Sequence, residues 1–150
     1  MFRRGKLEII IRECKLEDYT DIALLNKNEM GYEYSAEDTK KKLEKLLNDS
    51  SNKIYVAVLE EKVVGYVHAN NYDLLYAPHL KNIMGIAVLS DFRENGIGKK
   101  LLYEVEKWAK NTGAYGVRLV SGSTRIGAHA FYISCGYDGN KKQRNFKKMF

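Results

Sequence analysis

The sequence is short of several things. Its 150 residues include one proline and two cysteines, and no apolar run approaches the ~18 residues that a membrane helix needs. The lack of long runs excludes a helical membrane protein. The opening MFRRGKLEIII has a basic flank, but its apolar stretch is too short for a signal peptide, so a soluble cytoplasmic protein is expected. Cys14 and Cys135 show no metal-type spacing, and two cysteines in a chain this long do not make a disulfide framework; both thiols are expected to be reduced and no metal is expected. There is no Pro-rich or Gly/Ser-rich linker, no repeat and no low-complexity segment. With 45% hydrophobic residues, the chain reads as a single domain over residues 1–150. A domain of that length buries roughly two-thirds of its unfolded surface.

Positive charge is what the chain does have. A net charge of +6 and a pI near 9.2 favour anionic partners, from nucleic acid to a phosphorylated cofactor. The lysines are spread along the sequence, with one denser segment, KKQRNFKKMF, that is either a solvated surface or a binding patch. No aromatic or basic stripe of the usual nucleic-acid kind is present, so nucleic acid is not the expected partner. The sequence leaves room for a homodimer.

Hydrophobic periodicity alternates in type along the chain. Ile9 to Arg12 reads as a strand, and Tyr19, Ile22, Ala23 and Leu25 as a helical stripe. Ser35 with Asp38 resembles a capping box before a lysine-rich helix that should bury Leu43, Leu46 and Leu47. KIYVAVLEEKVVGYVHANNYDLL reads as two strands joined at Glu61 and Lys62. A strand over Asn82 to Leu89 follows the loop around Pro78. From Gly98, Leu101, Leu102, Val105, Trp108 and Ala109 recur at helical spacing up to a glycine cap at Gly113. Val117 to Ser121 reads as a strand and Thr124 to Cys135 as a helix stopped by Gly136. The tail from Tyr137 is expected to add strand structure and to pack Phe146, Met149 and Phe150. The class is α/β.

The segment DFRENGIGKKLL carries a candidate anion site. Two glycines let backbone N–H groups turn toward an anion, and the helix that follows adds the positive end of its dipole. A Walker loop is excluded, because Arg93 stands where its first glycine belongs and Lys100 where its hydroxyl residue belongs. A dinucleotide fingerprint lacks its third glycine, since Leu101 occupies that place. A pyrophosphate suits what remains; a tight strand-to-helix turn is the structural alternative.

Strand, Arg-x-x-Gly-x-Gly and amphipathic helix, in IMGIAVLSDFRENGIGKKLLYEVEKWAK, resemble the coenzyme A loop of the GNAT acetyltransferases. AHAFYISCGY resembles that family's second signature, and with the order of elements the resemblance runs from Ile9 to the tail. It implies a single-domain GNAT-like fold, a mixed, mostly antiparallel splayed sheet flanked by about four helices. It implies acetyl-CoA as cosubstrate, held at its pyrophosphate mainly by backbone N–H groups of Arg93, Glu94, Asn95, Gly96, Ile97 and Gly98, with Lys99 beside them. Ile86, Ala87 and Val88 would pair with the pantetheine arm, the Ile86 N–H facing the thioester oxygen. Tyr132 would protonate the leaving thiolate. The family often carries asparagine where this chain has Arg125, which removes one pantetheine contact; the arginine could serve a cofactor phosphate instead.

The implied reaction is direct transfer of acetyl to a primary amine, and such an amine, with a pKa near ~10.4, must lose a proton before it attacks. Many members carry a glutamate for this purpose where this chain has Asn82. His79, in the loop entering the strand, is one candidate base, since histidine titrates near neutral pH; a water chain ending in backbone carbonyls is the other. Tyr66, His68 and Tyr72 either line the acceptor groove or form an ordinary half-buried strand face. His129 stands near Tyr132 in sequence, and Cys135 is either a packed thiol or a nucleophile. Glu29, Glu33, Glu37 and Asp38 make the segment between the first two helices acidic, which hints at a cationic acceptor. The alternative from another class is a non-catalytic coenzyme A binding sensor or interaction module.

Overall fold

A computed structural model describes residues 8–150; the basic start at residues 1–7, weighed above as a leader, lies outside the described residues. The chain forms β1 (Ile10–Glu13), α1 (Tyr19–Met30), α2 (Ala36–Leu47), β2 (Asn52–Leu59), β3 (Lys62–Tyr72), β4 (Leu80–Val88), α3 (Ile97–Asn111), β5 (Val117–Leu119) and α4 (Ile126–Ser134). The strands make one mixed, mostly antiparallel sheet in the sequential order β1-β2-β3-β4-β5. Two compact units divide at Arg118 and Leu119.

In the first unit, local chemistry sets the element ends. Ser35 Oγ accepts the Asp38 N–H at 3.0 Å and starts α2, while Gly31, at φ 74°, ends α1 in the left-handed region that glycine occupies without strain. Leu43 is buried and Leu46 packs against the core as the stripe requires, but Leu47, the last residue of α2, is 39% exposed. The β2–β3 hairpin turns through Glu60 and Glu61 rather than Glu61 and Lys62. Both turn residues have positive φ, 49° and 66°, as a two-residue hairpin loop demands, and Lys62 already pairs with Leu59.

The sheet separates two apolar layers. Helices α1 and α2 cover one face, where Ile22, Leu25, Leu43, Ile54, Val56, Val63, Tyr66 and Ala87 form a buried cluster. Helix α3 packs on β2, β3 and β4 and buries Ile97, Leu101, Leu102, Val105 and Ala109. It lies close because Gly65 has no side chain: a Cβ there would sit 3.1 Å from the Ala87 carbonyl oxygen and 3.4 Å from Ile97 and Leu101. At roughly 1.5–3 kcal/mol per fully buried aliphatic side chain, α3 is held mainly by this stripe. β1 is fastened to α1 by Arg12, whose guanidinium donates to both oxygens of the buried Asp18 at 2.8 and 2.9 Å.

In the second unit, α4 ends at Gly136, φ 93°. The tail expected to add a strand has none, and Phe146, Met149 and Phe150 are 84%, 80% and 113% exposed. Their spacing lacks the alternation that would pair a segment with an edge and bury one side of it.

Candidate active site

β4 carries an irregularity where the site is expected. His68 of β3 faces Gly85 and Ala69 faces Ile83, so Met84 is an extra residue with no partner. A bulge of this kind increases local twist and re-aims neighbouring backbone groups. Ile86, Ala87 and Val88 follow it, opposite Val67, Tyr66 and Gly65.

After β4 comes a short 3-10 turn, Ser90–Phe92, and then the loop into α3. Glu94 and Gly96 both take left-handed conformations, φ 68° and 75°. A Cβ on Gly96 would meet nothing within 4 Å, so the requirement there is conformational and the space outside is open. Asn95 Nδ2 donates to the carbonyls of Phe92 and Arg93 at 3.1 and 3.3 Å and braces the turn. The ladder of α3 begins with the Lys100 N–H on the Gly96 carbonyl at 3.0 Å. The amides of Ile97, Gly98 and Lys99 therefore have no acceptor inside the helix, and the positive end of its dipole adds to them. An anion is the ligand that such an end receives.

Arg93 is held from within. Its Nη2 meets Glu29 Oε2 at 2.9 Å, and its amide donates to the Ser90 carbonyl at 3.3 Å. Glu29 Oε1 accepts from the Ser90 N–H at 3.2 Å and the Ser90 hydroxyl at 3.1 Å. The Glu29 side chain is 8% exposed, so α1 clamps the loop through one buried carboxylate. That corrects the reading of Glu29 as part of an acidic surface for a cationic acceptor. Glu37 and Asp38 stand in the first turn of α2, where acids complement the helix dipole.

His79 is tied on both sides. Its Nδ1 lies 2.7 Å from Asp73 Oδ1, and its Nε2 lies 3.0 Å from Lys81 Nζ. An ammonium can only donate, so the Nε2 lone pair is taken. Lys81 is buried against the Trp108 ring at 4.0 Å, and burial lowers its pKa. Asn82 Oδ1 accepts from Arg118 Nη1 at 2.6 Å, and the Arg118 guanidinium stacks 4.2 Å over the Tyr72 ring.

In the second unit, Tyr132 is 9% exposed between Phe131 and Tyr137, at ring separations of 5.4 and 6.3 Å. Burial raises the phenol pKa against a smaller opposing effect of Arg125, so Tyr132 carries its proton at neutral pH. His129 Nε2 lies 2.8 Å from the Gly122 carbonyl oxygen, a loop contact. Among the described residues, no group of three or more His, Cys, Asp and Glu is placed to hold a metal ion, and no helix is long and apolar enough to cross a membrane.

The model of the GNAT family of acetyltransferases matches residues 16–137. The chain belongs to this family. No curated protein matches this GNAT chain in sequence. Solved structures do match in fold. The aminoglycoside N-acetyltransferase AAC(6')-Iy in complex with CoA superposes with a TM-score of 0.86 at 18% identity, over 99% of each chain. An aminoglycoside acetyltransferase from an uncultured soil metagenomic sample, in complex with trehalose, gives 0.85 at 24% identity over 95% of this chain and 96% of its own. A transcriptional regulator from Bacillus halodurans C-125 gives 0.85 at 20% identity over 94% of this chain and 100% of its own. GNAT membership supports an N-acetyltransferase, and acetyl-CoA as cosubstrate fits it.

Proposed function

We propose that the protein transfers acetyl directly from acetyl-CoA to a primary amine, acting as one domain over residues 1–150. The observation that carries the reading is the β4–α3 connection, a bulged strand running into a loop with two left-handed residues and a first helical turn of free amides. Glu94, Asn95, Gly96, Ile97, Gly98 and Lys99 would receive the pyrophosphate, with Arg93 shaping the loop from the side. Ile86, Ala87 and Val88 would pair with the pantetheine arm. β5 has three residues against nine in β4, and the bonds near it engage the start of β4: the Lys81 N–H on the Gly116 carbonyl and Arg118 on Asn82. The later half of β4 is the part this reading gives to the extended pantetheine arm.

The chemistry divides among few groups. The Ile86 N–H would stabilise the developing oxyanion, a contribution of roughly 3 kcal/mol for one preorganised donor. Tyr132, kept protonated by burial, would donate to the departing thiolate. Two free thiols, Cys14 and Cys135, suit a reducing cytoplasm. The acceptor is an amine; aminoglycosides are the acceptors of structural neighbours and one class to include in a screen.

A second reading is a coenzyme A binding sensor without catalysis. Asn82 favours it, an amide held by Arg118 where the family resemblance implies a glutamate. One experiment separates the two. Acetyl-CoA should raise the melting temperature, with about 2.7 kcal/mol of stabilisation at a hundredfold excess over Kd, and Gly98→Val should abolish most of the shift. Release of coenzyme A with any amine of a broad panel then decides for the enzyme; a thermal shift without release decides for the sensor.

A further inference from the structure

The face of the sheet beneath α1 and α2 holds a cavity of about 160 Å³. Tyr66 and His68 of β3 line it, with Asn26 of α1, Lys42 of α2 and Tyr34 between the helices. Sites for drug-sized molecules run to roughly 300–1,000 Å³, so this one admits only the end of a ligand.

Register brings the cavity to the reactive stretch of β4. Tyr66 faces Ala87, Val67 faces Ile86, and His68 faces Gly85 at the bulge. Facing residues of an antiparallel pair have Cα atoms roughly 4.5–5.5 Å apart. Gly85 has no side chain to cover the strand on this side, and a Cβ built there would meet only the Tyr66 hydroxyl, at 3.6 Å. The Tyr66 hydroxyl itself donates to Asn26 Oδ1.

His68 has a preset tautomer. Its Nε2 lies 2.8 Å from Asn52 Oδ1. The Asn52 amide nitrogen donates to Asp49 Oδ2 at 3.2 Å and to Ser51 Oγ at 3.4 Å, which turns the amide oxygen toward the ring. Nε2 therefore donates, and Nδ1 keeps a lone pair with no partner among the described residues. Burial lowers the His68 pKa, so the ring is neutral at pH 7. The groups around it are Lys42 from α2, Tyr34 from the connection, Tyr66 on its own strand and the neutral Asn26 and Asn52 from α1 and β2; β4 presents Gly85, and among the described residues no carboxylate lines the cavity.

We propose that this cavity receives the amine end of the acceptor and that His68, through Nδ1, is the general base of acetyl transfer. The assignment rests on the transferase reading above. The amine gives its ammonium proton to water on entering, and as the neutral nitrogen attacks, the C–N bond forms and the C–S bond breaks. The proton leaving nitrogen goes to His68 Nδ1, and the thiolate of coenzyme A takes the Tyr132 proton. Afterwards His68 gives its proton to water and Tyr132 regains one from water.

Two measurements test it. Histidine-selective NMR of the free protein, which needs no activity, should show the neutral ring protonated on Nε2 with a pKa below that of a model histidine; a proton on Nδ1, or an ordinary or raised pKa, overturns the proposal. In kinetics, coenzyme A release is followed with glycinamide, lysine, spermidine and kanamycin as probes, and the best of them is taken forward. His68→Ala should cut kcat by about a hundredfold or more, keep the acetyl-CoA thermal shift and be rescued by added imidazole. A loss below about tenfold overturns the assignment. Should that variant fail to fold, Asn52→Asp decides: a carboxylate facing the Nε2–H should move the acid limb of kcat upward by about one unit, and an unmoved limb overturns the assignment. A wild type that binds acetyl-CoA yet releases no coenzyme A with any probe retires the transferase reading and the base with it, an outcome distinct from an active wild type indifferent to His68.

Discussion

Single side chains decide which proton carriers are available. His79 is saturated by Asp73 and Lys81, so His79→Ala should change kcat/KM less than about tenfold, well short of what losing a general base costs. A fall of a hundredfold or more in that variant would return His79 to the mechanism. Tyr132 is the proposed donor to the thiolate, and burial retains its proton. Tyr132→Phe removes the hydroxyl and keeps the ring between Phe131 and Tyr137, so kcat should fall while the acetyl-CoA thermal shift survives. An unchanged kcat with chemistry rate-limiting would retire Tyr132, and a variant that no longer folds would make it core.

Elements were legible where the pattern is local. The apolar stripe of α3, the Ser35 cap of α2 and the glycine stops at Gly113 and Gly136 are each written within one or two turns, and all formed. The glycine-bearing turn from β4 into α3 was legible for the same reason. What was missed depends on pairing at a distance. Glu29 meets Arg93 64 residues on, and nothing in KNEM marks the glutamate as the clamp of a loop. Asn52 reaches His68 because the hairpin carries an irregularity between Ala57 and Val58 that shifts its register by one. Counting back from the turn without that shift pairs His68 with Lys53. The turn itself is a stress point, for two glutamates hold left-handed conformations side by side with like charges. Replacing Glu60 and Glu61 with Asn-Gly, the sequence such a loop favours, should stabilise the fold by about 1 kcal/mol, a rise of roughly 2–4 °C in melting temperature. No rise would mean that the turn is relaxed as it stands.

At the scale of the whole molecule, buried titratable groups set the pH range in which the fold is strongest. The folded His68 pKa is lowered, so below the unfolded value near 6.5 the unfolded chain binds a proton first and stability falls with acid. Cys14 and Tyr66 are raised by burial to about 12, so above the unfolded thiol value near 9 the unfolded chain loses protons first and stability falls with base. Lys81 opposes that alkaline loss, because its lowered pKa makes the native state shed its proton earlier. Asp18 acts much lower: burial pushes its carboxyl up, the bonds from Arg12 and the Lys15 amide outweigh this, and its contribution goes only near and below pH 4. The melting temperature should therefore hold between about pH 7 and 9 and decline on either side, and His68→Gln should flatten the decline between pH 7 and 5. An acid slope that survives the substitution would assign it elsewhere. The Glu29 clamp has a consequence of another kind. One carboxylate fastens the loop proposed for the cosubstrate and sits at the end of the helix bordering the cavity proposed for the acceptor, which gives the two proposed sites a shared element. Where one ligand tightens the other through this element, thermodynamic reciprocity makes the factor the same in both directions. Equilibrium binding of the acceptor should strengthen when coenzyme A is present, and Glu29→Gln should erase that difference while each ligand still binds alone.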